Sequence, residues 1–331
     1  MLDVKRLMDY LEQENRKGQI DGHMKILEDF QTFLVDRSIK SERDITSKDI
    51  NDYVSERREQ AKDINHIIEV LNEYFYAVNN DVLSNETWNL CDAVWIFKKM
   101  SELTKSELGE DIWQKVFGGI PMPEIGWTLD EITDFTRQMH KRISKAASQE
   151  QIENMVQKHA HGVNGYEQSV DGALREILET TGIDGLIKHL NDSIIKEAEE
   201  CRDKGVLWWA TIVDNDVINY FKENPMNYRT GNKIINKQGP CLTQKFLHET
   251  DDKLKRYYGC HCPIKKKSIL QDEGSLSHSL CYCCFGHNKQ QFEAAFGREL
   301  TGRVIRTRMD EGCLECVFEI DIPYEFIGEN L

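Results

Sequence analysis

Seven of the ten cysteines in this 331-residue chain lie between Cys260 and Cys316, and nothing else in the sequence restricts the fold as much. They fall into three groups: Gly259-Cys260-His261-Cys262-Pro263, His278-Ser279-Leu280-Cys281-Tyr282-Cys283-Cys284-Phe285-Gly286-His287, and Cys313-Leu314-Glu315-Cys316. Disulfide frameworks belong to small secreted chains. This chain is long, and Asp3, Lys5, Arg6 and Asp9 interrupt the apolar residues where a signal peptide would run. No uncharged run is long enough to cross a bilayer. A cytoplasmic chain with reduced thiols is therefore predicted. Cys91, Cys201 and Cys241 are scattered and read as small buried hydrophobes.

Charge is unevenly placed. The formal net charge is -15, yet Lys253 to Arg308 holds 11 Lys and Arg against 4 Asp and Glu. A basic, cysteine-rich region thus sits on an acidic body, which points to a small, anionic ligand and to depressed thiol pKa values. The first 80 residues hold 12 basic and 17 acidic side chains. Nucleic-acid affinity comes largely from cations that release counterions from phosphates, so DNA contact is disfavoured there. One basic face, with Arg57, Arg58 and Lys62, is what a DNA-associated role would use.

Periodicity divides the chain into a helical domain over 1–85, a helical middle region over 86–205 and an α+β domain over 206–331. Met24, Leu27, Phe30, Phe33 and Leu34 form an apolar stripe at helical spacing, and Thr46 with Asp49 reads as a capping box before Ile50, Tyr53 and Val54. A third helix carries Ile64, Ile67, Leu71 and Phe75. Further helices are predicted at Asp92 to Val116, Leu129 to Ala147, Gln149 to Lys158, Ser169 to Thr180 and Asp184 to Arg202. Near the end, Gln290 to Phe296 reads as a helix, and Val304 to Met309 with Cys313 to Ile322 as a hairpin turning at Asp310-Glu311-Gly312. The fold class is α+β, with the N-terminal two-thirds mostly helical and a Cys-rich antiparallel sheet plus helix after it.

Two resemblances follow. Leu27, Phe30, Phe33, Leu34, then Asp44-Ile45-Thr46, Asp49-Ile50, Tyr53, Asn65, Leu71 and Tyr74-Phe75-Tyr76 resemble the SAM-like core-binding domain of tyrosine recombinases. That resemblance implies a helical domain packing beside DNA. The chain contains no His-x-x-Arg, so recombinase catalysis is excluded. The succession Tyr258-Gly259-Cys260-His261-Cys262-Pro263, Cys281-Tyr282-Cys283-Cys284-Phe285-Gly286, Phe292-Glu293 and Cys316-Val317-Phe318-Glu319-Ile320 resembles 4-vinyl reductase-like and thiazoline-carboxylate hydrolase-like domains. This second resemblance implies a domain that binds or acts on small organic molecules, with zinc beside the pocket in some sensor members.

The cysteines themselves suggest two chemistries. On extended strands Cys260 and Cys262 would share a face, as would Cys281 and Cys283, so the four could converge as a metal centre. Tetrahedral zinc takes such donors at about 2.0–2.3 Å, although its usual signature is a pair of separate Cys-x-x-Cys knuckles, a spacing read here at Cys313 and Cys316. The ferredoxin spacings of iron–sulfur clusters are absent. Alternatively Cys281, Cys283 or Cys284, activated by a histidine such as His287 and the basic segment, would be the nucleophile of a cysteine-dependent hydrolase. Cys316 lies on the apolar face of its predicted strand and reads as core. Zinc, a small-molecule ligand, and a protein partner or second copy are the associations the sequence leaves open.

Overall fold

The capping box and the apolar stripes around it set the N-terminal architecture in the computed structural model, which describes residues 2–60, 63–158, 172–271 and 276–327. Helices α1 (Val4–Gln13), α2 (Ile20–Asp36), α3 (Ser47–Glu59) and α4 (Ile64–Ala77) bury Leu7, Phe30, Tyr53, Leu71 and Phe75 in one core. Asp49 accepts the Thr46 backbone N–H at 2.8 Å, as the box requires.

The next helix, α5 (Asp81–Leu103), passes from one core to another. Its Leu83, Leu90 and Cys91 belong to the N-terminal core, whereas Ala93, Ile96, Phe97 and Met100 enter a second core. A single helix was expected from Asp92 to Val116. Instead a π-turn over Thr104–Leu108 ends at Gly109, whose φ of 90° suits a residue without a side chain, and α6 (Glu110–Phe117) starts afresh. Helices α7 (Leu129–Ala146) and α8 (Gln149–Val156) complete this second core, and the C-terminal residues Tyr257, Cys260, Cys262, Cys281 and Cys283 close it.

Helix α9 (Ala173–Lys204) bends at Gly182. It ends beside α10 (Asn215–Glu223), against which it buries Ala198, while Leu186 and Ile187 pack on the sheet. The sheet has strands β1 (Asn227–Thr230), β2 (Lys233–Gln238), β3 (Gly302–Arg306) and β4 (Cys316–Asp321) in the order β1-β2-β4-β3, with every neighbouring pair antiparallel. The β3–β4 hairpin is the one read from the sequence. The β1–β2 hairpin, turning at Gly231, has no counterpart among the predicted elements. Between the hairpins run α11 (Thr243–His248), α12 (Asp252–Gly259) and α13 (Tyr282–Phe296).

The architecture is α+β and mostly helical. One sheet face, with Ile234, Phe318 and Ile320, is covered by α9 and by Phe285 and Phe292 of α13. Helix α13 begins eight residues earlier than the sequence suggested, at Tyr282 rather than Gln290. Among the described residues no helix is long and apolar enough to cross a membrane.

Candidate functional site

Strand β2 ends at Gln238, and Gly239-Pro240-Cys241 turns the chain toward α11. The Cys241 N–H donates to the Gly259 carbonyl at 3.2 Å and the Leu242 N–H to the Tyr258 carbonyl at 2.9 Å, which fastens this turn to the end of α12. Buried Arg308 holds the same junction: it donates to the Gln238 carbonyl at 3.0 Å and to the Leu314 carbonyl at 2.9 Å. Its side chain fills the space that a Cβ on Gly259 would need. The residue after Cys260 is His261, so the clasp brings Cys241 and His261 together.

They meet in the wall of a cavity of about 570 Å³ between α4 and α5 on one side and the C-terminal region on the other. Asn85 of α5 donates to the Cys241 Sγ at 3.3 Å. Its own amide oxygen accepts from Lys266 Nζ at 2.9 Å and from Asn89 at 3.1 Å, so its orientation is fixed. The His261 Nε2 is 2.9 Å from the Gly239 carbonyl oxygen. A carbonyl only accepts, so the proton resides on Nε2 and Nδ1 keeps the lone pair. Burial pushes the Cys241 thiol up, but once its proton has passed to His261 the imidazolium charge and N–H, with the charge of Lys266 and the Asn85 N–H, favour the thiolate and bring the group down to about 7. A thiol, a histidine able to take its proton and a carbonyl orienting that histidine are the parts of an activated cysteine nucleophile.

Two tryptophans stand where the cavity meets solvent. Trp209, 53% exposed, has a φ of 55°, stacks on Trp208 at 4.4 Å between ring centres and meets His261 edge-on at 6.4 Å. Such a left-handed backbone for a bulky residue costs energy that the surroundings must supply, a condition concentrated at functional sites. Trp88, 52% exposed, rests against Trp95. Among the described lining residues there is no Lys or Arg, and Asp92 is the one carboxylate.

Of the residues singled out in the sequence, Cys262, Cys284 and His287 line this cavity, whereas Cys260, Cys281 and Cys283 are buried in the second core and are not among its described lining residues. Cys281 and Cys283 do not lie on a strand. Cys281 ends a 3-10 turn as the N-cap of α13 and Cys283 lies in the first turn of that helix, where residues two apart point in different directions. Burial pushes Cys260 up to about 12 and Cys281 up to about 11, and a hydrogen bond with Cys262, followed by burial, holds Cys284 well above the ordinary thiol range. These three keep their protons at neutral pH, unlike Cys241. Cys313 donates to the Glu315 carbonyl at 3.2 Å, and Cys316 is buried in the sheet core.

Among the described residues, the group of three His, Cys, Asp or Glu side chains whose ligand atoms all lie within 4.8 Å of one another is Asp214, Asp216 and His248. Cys260, Cys262, Cys281 and Cys283 therefore do not present even three converging donors, and the cation among the cysteines is Lys265, whose Nζ lies 2.6 Å from the Cys281 Sγ. That arrangement does not fit tetrahedral zinc. The Asp214 carboxylate already caps α10 through the Val217 N–H and accepts from Gln244.

Six of the basic residues that suggested an anionic ligand are used elsewhere. Lys265, Lys266, Lys289 and Arg308 are buried, and Arg303 and Arg306 pair with Glu319 and Glu315. In the N-terminal domain Arg57 pairs with Asp29 at 2.7 Å, and Arg58 donates to the Gly126 carbonyl at 2.9 Å; Lys62 lies outside the described residues. Sequence reading missed Cys241, Asn85 and Lys266. The only local signal was a Gly-Pro-Cys turn ahead of a short helix. Comparison of the chain with protein-family models, curated proteins and solved structures returns no match.

Proposed function

We propose that the chain binds a small organic molecule in the cavity between α4–α5 and the C-terminal region, and that Cys241 acts on it as a nucleophile. The observation that carries this reading is the pairing of Cys241 with an oriented His261 in a cavity wall. In the reaction the Cys241 proton passes to His261, the thiolate attacks an electrophilic carbon, and the imidazolium returns the proton to the leaving group; a water molecule, giving a proton to the same imidazole, then attacks the thioester, and sulfur leaves with that proton as the thiol. Lys266 is a positioning residue, because it fixes Asn85 and adds positive charge near the thiolate without lining the cavity. Hydrolysis of an acyl or amidine-like bond is the reaction class, in keeping with the hydrolase-like resemblance of the C-terminal residues.

The lining favours an uncharged or cationic ligand with a flat face. Trp88 and Trp209 offer aromatic surfaces on which a flat or cationic group can stack, and several asparagine amides offer hydrogen bonds. p-Nitrophenyl acetate, neutral and flat, is a suitable probe. The expected outcome is a burst of p-nitrophenolate with one acetyl group on Cys241, found by peptide mass mapping and lost in Cys241→Ala. Acetylation spread over surface lysines, with Cys241 unmodified, would remove the nucleophile from the proposal.

A further inference from the structure

The second thiol group of the molecule lies behind the cavity wall, around Lys265. This side chain is completely buried, and among the described residues its hydrogen-bond partner is the Cys281 Sγ at 2.6 Å, with no carboxylate paired to it. N–H···O bonds span about 2.7–3.2 Å. Sulfur is larger than oxygen, so an N–H···S bond is longer still, and the Lys265–Cys281 contact is closer than hydrogen bonding explains. Nitrogen and sulfur come this close when both are bonded to one intervening atom.

The surroundings suit oxidative chemistry. Burial alone would discharge Lys265, yet the thiols of Cys281, Cys262 and Cys284 outweigh it and hold the ammonium form. Burial leaves Cys281 a thiol at rest, and the Lys265 ammonium against its Sγ lowers the cost of ionising it to the form that oxidants attack. Cys262 and Cys284 also line the cavity, so a small oxidant that enters it arrives next to the pair.

We propose that Lys265 and Cys281 are a modification site at which dioxygen forms a reversible N–O–S crosslink. The Cys281 thiol first gives up its proton to solvent, and one oxygen atom then becomes bonded to both Sγ and the Nζ of the ammonium. The O–O bond and two N–H bonds break, and the second oxygen leaves as water with those two hydrogens, the third proton on nitrogen remaining as N–H. Sulfur and nitrogen each lose two electrons and dioxygen gains four. Two equivalents of a dithiol reverse the process, giving back the thiol and the amine with one water.

The link removes a buried positive charge and ties the segment that carries His261 and Lys266 to the start of α13. Its influence on Cys241 rests on the function proposed above; the crosslink itself does not. The test is accurate intact mass and peptide mapping of the full chain purified in air, before and after dithiothreitol. The expected result is a gain of one oxygen with loss of two hydrogens, located in a peptide pair joining Lys265 to Cys281 and reversed by the dithiol. Lys265→Arg and Cys281→Ser should both lack it. Oxygen on Cys281 without the joined peptide, loss of two hydrogens without oxygen, or no mass change would each overturn the proposal. The wild-type map decides even if a variant fails to fold. Labelling of Cys241 by iodoacetamide in the same samples reports separately on the catalytic reading.

Discussion

A thiol that is only 5% exposed ordinarily keeps its proton, because a thiolate loses its hydration on burial. At Cys241 the neighbouring imidazole, ammonium and amide reverse that order, and the group titrates at about 7. Below that pH the thiol dominates and above it the thiolate. Alkylation of Cys241 by iodoacetamide should therefore rise with pH through a midpoint near 7, while Cys281 responds only near 11. His261→Ala removes a charge and a hydrogen bond but leaves the burial, so the midpoint should move upward and acetylation at neutral pH should slow by about 10²–10⁴-fold. An unchanged midpoint would mean that the histidine does not act on the thiol. None of this was legible residue by residue. Cys241 looked like any isolated small apolar side chain, and Asn85 and Lys266 acquire their roles from partners remote in sequence.

Elements were more readable than residues. Capping boxes, apolar stripes and the alternation Leu314, Cys316, Phe318, Ile320 act over a few neighbours, and the corresponding helices and the β3–β4 hairpin formed where local spacing put them. The start of α13 is the instructive miss. Cys-x-Cys permits either strand or helix, and the helix wins because Gly286 lets it lie against the backbone of Gln157, just past the end of α8. A methyl group there would collide with the Gln157 carbonyl. Gly286→Ala is expected to lower stability by about 1–3 kcal/mol, as overpacking does, despite the better helix propensity of alanine. Urea denaturation would check it, and a stabilised variant would refute the close approach.

At the scale of the whole molecule, α5 is shared. Its first half is buried in the N-terminal core and its second half in the core that the cysteine segment closes, so neither core can open without exposing part of the helix. Hydrogen bonds from Tyr76 to the Leu207 carbonyl at 3.0 Å and from Asn79 to the Gly205 carbonyl at 2.9 Å add to the coupling. Urea unfolding followed by tryptophan fluorescence and by far-UV circular dichroism should give coincident transitions. Two separated transitions would show that the halves unfold independently and that the cavity between them opens first.

The sequence by itself determined the fold class, most helices and the C-terminal hairpin, because hydrophobic periodicity and caps are interactions between near neighbours. It also marked Cys262, Cys284 and His287, three of the residues around the cavity. Only the tertiary structure decided which cysteine is activated. A thiol's proton affinity depends on the burial and charges within a few ångströms of it, and here those come from α5, the β2–α11 turn and the segment after α12, which chain folding alone brings together.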